Sequence, residues 1–206
     1  MSSGLYDINE FKDNCGFGLI AHRTGKASHR LLEMTIESLT CMTHRGGIAS
    51  DGKTGDGCGL LMQKPDRFFR QVVRDQLGVE LNERYGVGSI MIDHDEEIAS
   101  RAKRVFTEEM ASEGLDVAAW RDVPTNSDCL GPIAIDSKPH FLQVFINAPA
   151  GLSSPEFTAK LLIARRKSNT ALRNSGLFYV ASLSEKVVSY KGLMMPVDLP
   201  VFFPDL

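Results

Sequence analysis

No apolar run in the 206 residues approaches the roughly 18 that a membrane-spanning helix needs. The opening segment MSSGLYDINEFKDN has neither a basic n-region nor an apolar h-region, so it does not read as a secretory signal, and a cytoplasmic product is expected. The four cysteines, at 15, 41, 58 and 129, include no Cys-x-x-Cys pair, and their spacing fits no zinc or iron–sulfur pattern, so no metal site is expected. In a reducing compartment they remain free thiols, and Cys41, Cys58 and Cys129 read as small core residues. An excess of charge is also lacking: a net −3 gives no electrostatic case for nucleic acid or an anionic membrane. There is no internal repeat and no low-complexity segment. What remains is an ordinary globular composition, 43% hydrophobic and 24% charged, at a length that suits one ample domain or two small ones.

The periodicities present describe a mixed fold. GFGLIAH (16–22) reads as a short buried strand. A helix is expected from the N-cap Ser28 to about Thr43, with Leu32, Ile36 and Leu39 on one stripe. GLLMQ (59–63) is a strand, PDRFFRQVVRDQL (65–77) a helix opened by proline, and RYGVGSIMID (84–93) a strand. The clearest helix is 95–114, with Ile98, Ala102, Val105 and Phe106 inward and Glu97 paired to Arg101 at i,i+4. PHFLQVFINA (139–148) is apolar on both faces, as a strand covered on both sides must be. A helix over 155–173 presents Phe157, Leu161 and Ala164, and its ARRK cluster reads as a solvated face. LFYVASLS and KVVSYKG (177–192) form a hairpin turning near Glu185. Strands neighbour strands as often as helices, which predicts a layered α+β sandwich rather than a strict βαβ winding. The closing PVDLPVFFPDL is apolar to its last residue without a capping signal and reads as a cut.

Between the first helix and the next strand lies a glycine- and aspartate-rich loop, HRGGIASDGKTGDGCG (44–59). Gly47, Gly52, Lys53 and Thr54 satisfy the phosphate-loop pattern Gly-x4-Gly-Lys-Thr. That chemistry needs a strand before the loop and a helix after it, so that backbone N–H groups converge on phosphate. Here the order is reversed, and the pattern reads as a decoy. Asp51 and Asp56 do not have the spacing of a calcium loop either. The loop reads instead as tight turns that bring GLLMQ against another part of the backbone.

Cys15 stands in DNCGFG, fourteen residues after the initiator methionine. It reads either as a buried thiol of an apolar N-terminal strand or as a nucleophile. A nucleophilic thiol needs a group that removes or holds its proton. The histidines at 22, 29, 44, 94 and 140 form no protease signature. Cleavage before Cys15 would supply a base on the same residue: an α-amine of pKa ~7.7–8.0, close to the working pH.

DNCGFGLIAH, HRGGIASDGKTGDGCGLLMQKPDRFF, WRDVPTNSDCLG, QVFINAPAG, FYVASLS and YKGLMMPVDLP together resemble, in order along nearly the whole chain, the N-terminal class II glutamine amidotransferase domain of the glutamate synthase large subunit. The wording CGFGLIAH is closer to the NADPH-dependent bacterial type. The resemblance implies an N-terminal nucleophile (Ntn) hydrolase fold, a four-layer αββα sandwich, incomplete here at its C-terminus. It implies a propeptide over 1–14 and a partial amidotransferase domain over 15–206. It further implies that Cys15 attacks the amide of L-glutamine with its own α-amine as base, and that Arg45 is the active-site arginine that binds substrate. Ammonia then reaches 2-oxoglutarate, in glutamate biosynthesis and ammonia assimilation.

No cofactor is implied for this segment. FMN, a 3Fe-4S cluster, the rest of the large subunit and a small NADPH-oxidising subunit are implied for the full-length protein. The Asn-Gly pair that forms the family's oxyanion hole has no counterpart up to residue 206, so the isolated fragment is expected to be weakly active or inactive. Two rivals stand beside this reading: a stand-alone N-terminal-cysteine amide hydrolase, and a truncated domain without catalysis.

Overall fold

The computed structural model describes residues 16–206. The expected strand over 16–22 does not form. These residues run as irregular chain, with Phe17 92% and Leu19 90% exposed and no ladder partner among the described residues. Helix α1 (His29–Cys41) follows, capped by the Ser28 hydroxyl, which accepts the Leu31 N–H. Leu32, Ile36 and Leu39 turn toward the core as their spacing predicts. Cys41 is exposed rather than core, because it lies off that stripe at the end of the helix.

The rest of the chain alternates short strands and helices: β1 (Cys58–Gln63), α2 (Asp66–Leu77), β2 (Tyr85–Ile92), α3 (Glu96–Ser112), β3 (Asp116–Asp122) and α4 (Pro132–Asp136). Then come β4 (His140–Asn147), α5 (Ser154–Ala171), β5 (Phe178–Ser184), β6 (Val187–Gly192) and α6 (Leu199–Phe202). Local signals set several boundaries. Gly78 takes φ +66° and closes α2 in the left-handed conformation that glycine adopts without steric cost. Ser153 and Glu156 cap α5 reciprocally, side chain to backbone in both directions. On α3, Ala102, Phe106 and Met110 are fully buried while Ile98 and Val105 are half-buried. The i,i+4 ion pair on that helix is Arg104–Glu108 at 3.3 Å, in place of the expected Glu97–Arg101.

Two antiparallel sheets result, one ordered β3-β4-β2-β5 and the other β1-β6. β4 explains its doubly apolar sequence. Leu142, Val144 and Ile146 face Phe106 and Met110 of α3 and Phe157, Leu161 and Ala164 of α5. Phe141 and Phe145 face the opposite way, into a second core with Leu60 of β1, Val188 and Tyr190 of β6, Phe69 and Val73 of α2, and Phe202 and Phe203. Gly86 on β2 lets α5 approach closely, since a methyl there would come within 3.1 Å of Leu161.

The expected hairpin over 177–192 is corrected. β5 pairs with β2 and β6 pairs with β1, so the short turn at 185–186 carries the chain from one sheet to the other. Each strand finds a full ladder elsewhere, and the Ser189 N–H donating to the Ser182 hydroxyl at 3.0 Å joins the two locally. The strand β3 lies in a stretch to which the sequence patterns assign no element.

Candidate active site

Of the two residues singled out from the sequence, Cys15 lies outside the described residues. Arg45 closes a 3₁₀ turn (Thr43–Arg45) immediately after α1. Gly46 then becomes extended, φ −100° and ψ 156°, and donates its N–H back to the Thr43 carbonyl at 3.2 Å.

From Gly47 to Asp56 the chain folds into a tight antiparallel loop. Ile48 and Gly55 form a single bridge, the Ala49 N–H donates to the Thr54 carbonyl at 2.8 Å, and the Asp56 N–H donates to the Gly47 carbonyl at 3.2 Å. The Gly47 N–H in turn donates to Asp56 Oδ2 at 2.6 Å. Inside the loop, Asp51 Oδ1 accepts the N–H groups of Lys53 and Thr54 at 3.0 and 2.8 Å. Three N–H groups of the loop, those of Gly47, Lys53 and Thr54, are thus engaged by its own carboxylates. A helix precedes the loop and strand β1 follows it, so the Gly-x4-Gly-Lys-Thr pattern lacks the strand–loop–helix order of a phosphate loop. The Asp51 carboxyl is held well below the usual carboxylate range, first by the Thr54 hydroxyl and then by the Thr54 and Lys53 N–H groups.

Gly55 within the hairpin and Gly59 after it have a steric role. A methyl on Gly55 would sit 2.9 Å from the Met194 carbonyl oxygen, and one on Gly59 would sit 2.6 Å from Lys191 Cβ. The backbone against which the loop packs is therefore β6 and the residues just after it. Lys53 Nζ reaches the Asp128 carbonyl at 3.2 Å, which ties the hairpin to the segment before α4.

A second polar assembly lies between the sheets. Arg121 on β3 donates Nε to Gln76 Oε1 at 3.0 Å and Nη1 to Gln143 Oε1 at 2.8 Å, and it meets Asp205 through two bonds. Gln143 Nε2 donates to the Tyr190 hydroxyl at 2.8 Å, and that hydroxyl donates to Asp205 Oδ2 at 3.2 Å. Every member thus has a partner, as a buried polar group requires. Sequence reasoning passed over these residues, yet a signal existed: Gln143 is the one polar residue inside the apolar run FLQVFI.

Two histidines stand apart from the loop. His94 and His140 stack with ring centroids 6.2 Å apart, His94 on the Lys138 carbonyl and His140 on Asp122 at 2.6 Å. Of the ARRK cluster, Arg166 and Lys167 are exposed as expected, with Lys167 paired to Glu113 at 2.5 Å, whereas Arg165 is half-buried and donates Nη2 to the Val180 carbonyl at 2.7 Å. Among the described residues, no group of three or more His, Cys, Asp or Glu side chains is placed to hold a metal ion. No helix among them is long and apolar enough to cross a membrane.

Comparison with known proteins gives this geometry a context. The family profile "Glutamine amidotransferases class-II" matches residues 15–206. The chain is 38% identical, over its whole length, to the glutamate synthase [NADPH] large chain of Bacillus subtilis, of which it spans 14%. It is 35% identical over 96% of its length to ferredoxin-dependent glutamate synthase 2 of Synechocystis sp., spanning 13% of that protein. To the glutamate synthase [NADPH] large chain of Azospirillum brasilense it is 32% identical over its whole length, spanning 14%.

Proposed function

This chain belongs to the class-II glutamine amidotransferases, and on that premise we propose that it hydrolyses the side-chain amide of L-glutamine, with Cys15 as the nucleophile. One observation carries the reading: the family match opens on Cys15, the residue whose chemistry suits a nucleophile with a base built onto it. In this scheme removal of residues 1–14 frees the Cys15 α-amine, which takes the thiol proton. The sulfur adds to the amide carbon, and the same amine delivers the proton to the departing nitrogen. The C–N bond breaks, ammonia leaves, and a glutamyl thioester remains. Water then adds to the thioester with its proton passing to the amine, the C–S bond breaks, and the thiol is restored as glutamate departs. Arg45 is assigned to the substrate carboxylate, for which a planar, permanently charged fork of donors is suited.

The chain spans about a seventh of the length of the curated relatives it matches. Transfer of ammonia to 2-oxoglutarate and reductive glutamate synthesis are therefore assigned to the longer protein as a whole. We route no step of this scheme through FMN or a 3Fe-4S cluster. Both groups are assigned to the remainder of the large subunit, and NADPH oxidation to a small partner subunit. Relatives named for NADPH and for ferredoxin match this segment at 38% and 35% identity, which leaves the choice of electron donor to other parts of the protein.

The test is Cys15→Ala in the full natural chain. The variant should keep residues 1–14 by intact mass and hydrolyse no glutamine; retained hydrolysis overturns the assignment.

A further inference from the structure

We propose that Asp51 is a positioning residue for Arg45, acting through the 47–56 hairpin; the proposal rests on the glutaminase reading above. Asp51 is a junction rather than a surface charge. Besides the two N–H groups on Oδ1, its Oδ2 accepts the Thr54 hydroxyl at 2.6 Å and the Ile133 N–H at 3.2 Å. Thr54, only 2% exposed, extends the junction by accepting the Ala134 N–H on Oγ1 at 3.3 Å. Two hairpin residues thus satisfy the first N–H groups of α4 across 82 and 80 positions of sequence. The contact is closed: a methyl on Gly131 would lie 2.6 Å from Asp51 Oδ2 and 2.8 Å from the Thr54 nitrogen.

At its other end the hairpin holds Gly47 through Asp56, and Gly47 is two residues from Arg45. On the far side Arg45 is continuous with α1 through the bond from the Met42 N–H to the Leu39 carbonyl. The chain on either side of Arg45 is therefore held, before it by α1 and after it by a path running from α4 through Asp51, Thr54 and the hairpin. A guanidinium that must meet a carboxylate at two points tolerates little misplacement. Asparagine at position 51 keeps the shape but presents an NH₂ group where the carboxylate accepts, so it cannot take all four bonds.

The experiment measures glutamine hydrolysis by the full natural chain and by Asp51→Asn, Thr54→Val, Thr54→Ser, Arg45→Ala and the Asp51→Asn/Arg45→Ala double variant. KM for glutamine should rise roughly tenfold in Asp51→Asn and Thr54→Val, with a smaller change in kcat. Thr54→Ser, which retains the hydroxyl, should stay within about twofold of the unsubstituted chain. In the Arg45→Ala background, Asp51→Asn should add nothing further. Amide hydrogen exchange in Asp51→Asn should accelerate over 46–56 and remain unchanged in α3 and α5.

An unmoved KM, or a rise that multiplies with that of Arg45→Ala, overturns the positioning role. So does a fall in kcat alone that follows the folded fraction, which is the signature of lost stability. Should Asp51→Asn fail to fold, the Thr54 pair decides on the same criteria. Absence of hydrolysis by the unsubstituted chain overturns the glutaminase reading itself, and with it any role for Asp51 in that reaction.

Discussion

Arg121 and Asp205, 84 positions apart, close a two-point ion pair in the interior: Nη1 donates to Oδ2 at 2.6 Å and Nη2 to Oδ1 at 2.9 Å, with 3% and 6% of the side chains exposed. The pair joins β3 to the segment after α6 and so draws Phe202 and Phe203 into the core between the sheets. Removing one partner leaves the other buried and unpaired. Asp205→Ala should therefore lower stability by about 3–5 kcal/mol. Replacing both residues with apolar ones of similar volume should cost much less. Urea unfolding of the two variants checks this, and equal losses would contradict it.

Alkaline pH tests the same core from another side. Burial, and then the Asp205 charge, holds the Tyr190 phenol above its ordinary value, and burial followed by Asp66 does the same for Tyr85. Unfolded tyrosine ionises near pH ~10, where the folded chain still retains both protons. The unfolded state then binds fewer protons than the folded one, so stability falls as pH rises. This contribution is complete below about pH 10 and is lost above it. Urea midpoints should be level up to that pH and decline beyond it, less steeply in Tyr190→Phe. A midpoint that stays level past the ordinary tyrosine range contradicts the buried phenols.

The described thiols should differ in reactivity by environment. Cys41 is exposed on α1. The Cys58 thiol is pushed up to about 12, chiefly by burial and then by Asp198, and the same two causes raise Cys129 by less. The thiolate is the reactive species. Alkylation near neutral pH, mapped by peptide mass spectrometry, should label Cys41 first and Cys58 last. Early labelling of Cys58 would contradict its half-buried place at the start of β1.

Local rules made much of this fold legible in advance. The Ser28 cap, the proline before α2 and the two apolar faces of β4 each act through near neighbours in sequence, and each holds in the structure. What sequence patterns missed depends on distant partners. β5 and β6 look like a hairpin, and only the competing ladders with β2 and β1 separate them. The short apolar run GFGLIAH has the form of a buried strand, but strand pairing needs a partner that its own sequence does not encode. Arg45 was reached by resemblance, since its spacing alone suggests no more than a charge at a helix end. No local pattern points to the junction at Asp51, because its bond to Ile133 spans 82 positions.

The central claim is that Cys15 is the nucleophile of a glutaminase. It is tested most directly by treating the full natural chain with diazo-oxo-norleucine, a glutamine-shaped electrophile, and mapping the adduct by peptide mass spectrometry. The account predicts an adduct on Cys15 at a processed N-terminus, suppressed by excess glutamine, with Cys41, Cys58 and Cys129 unmodified. Labelling spread over the four thiols, or labelling that glutamine does not suppress, would contradict it.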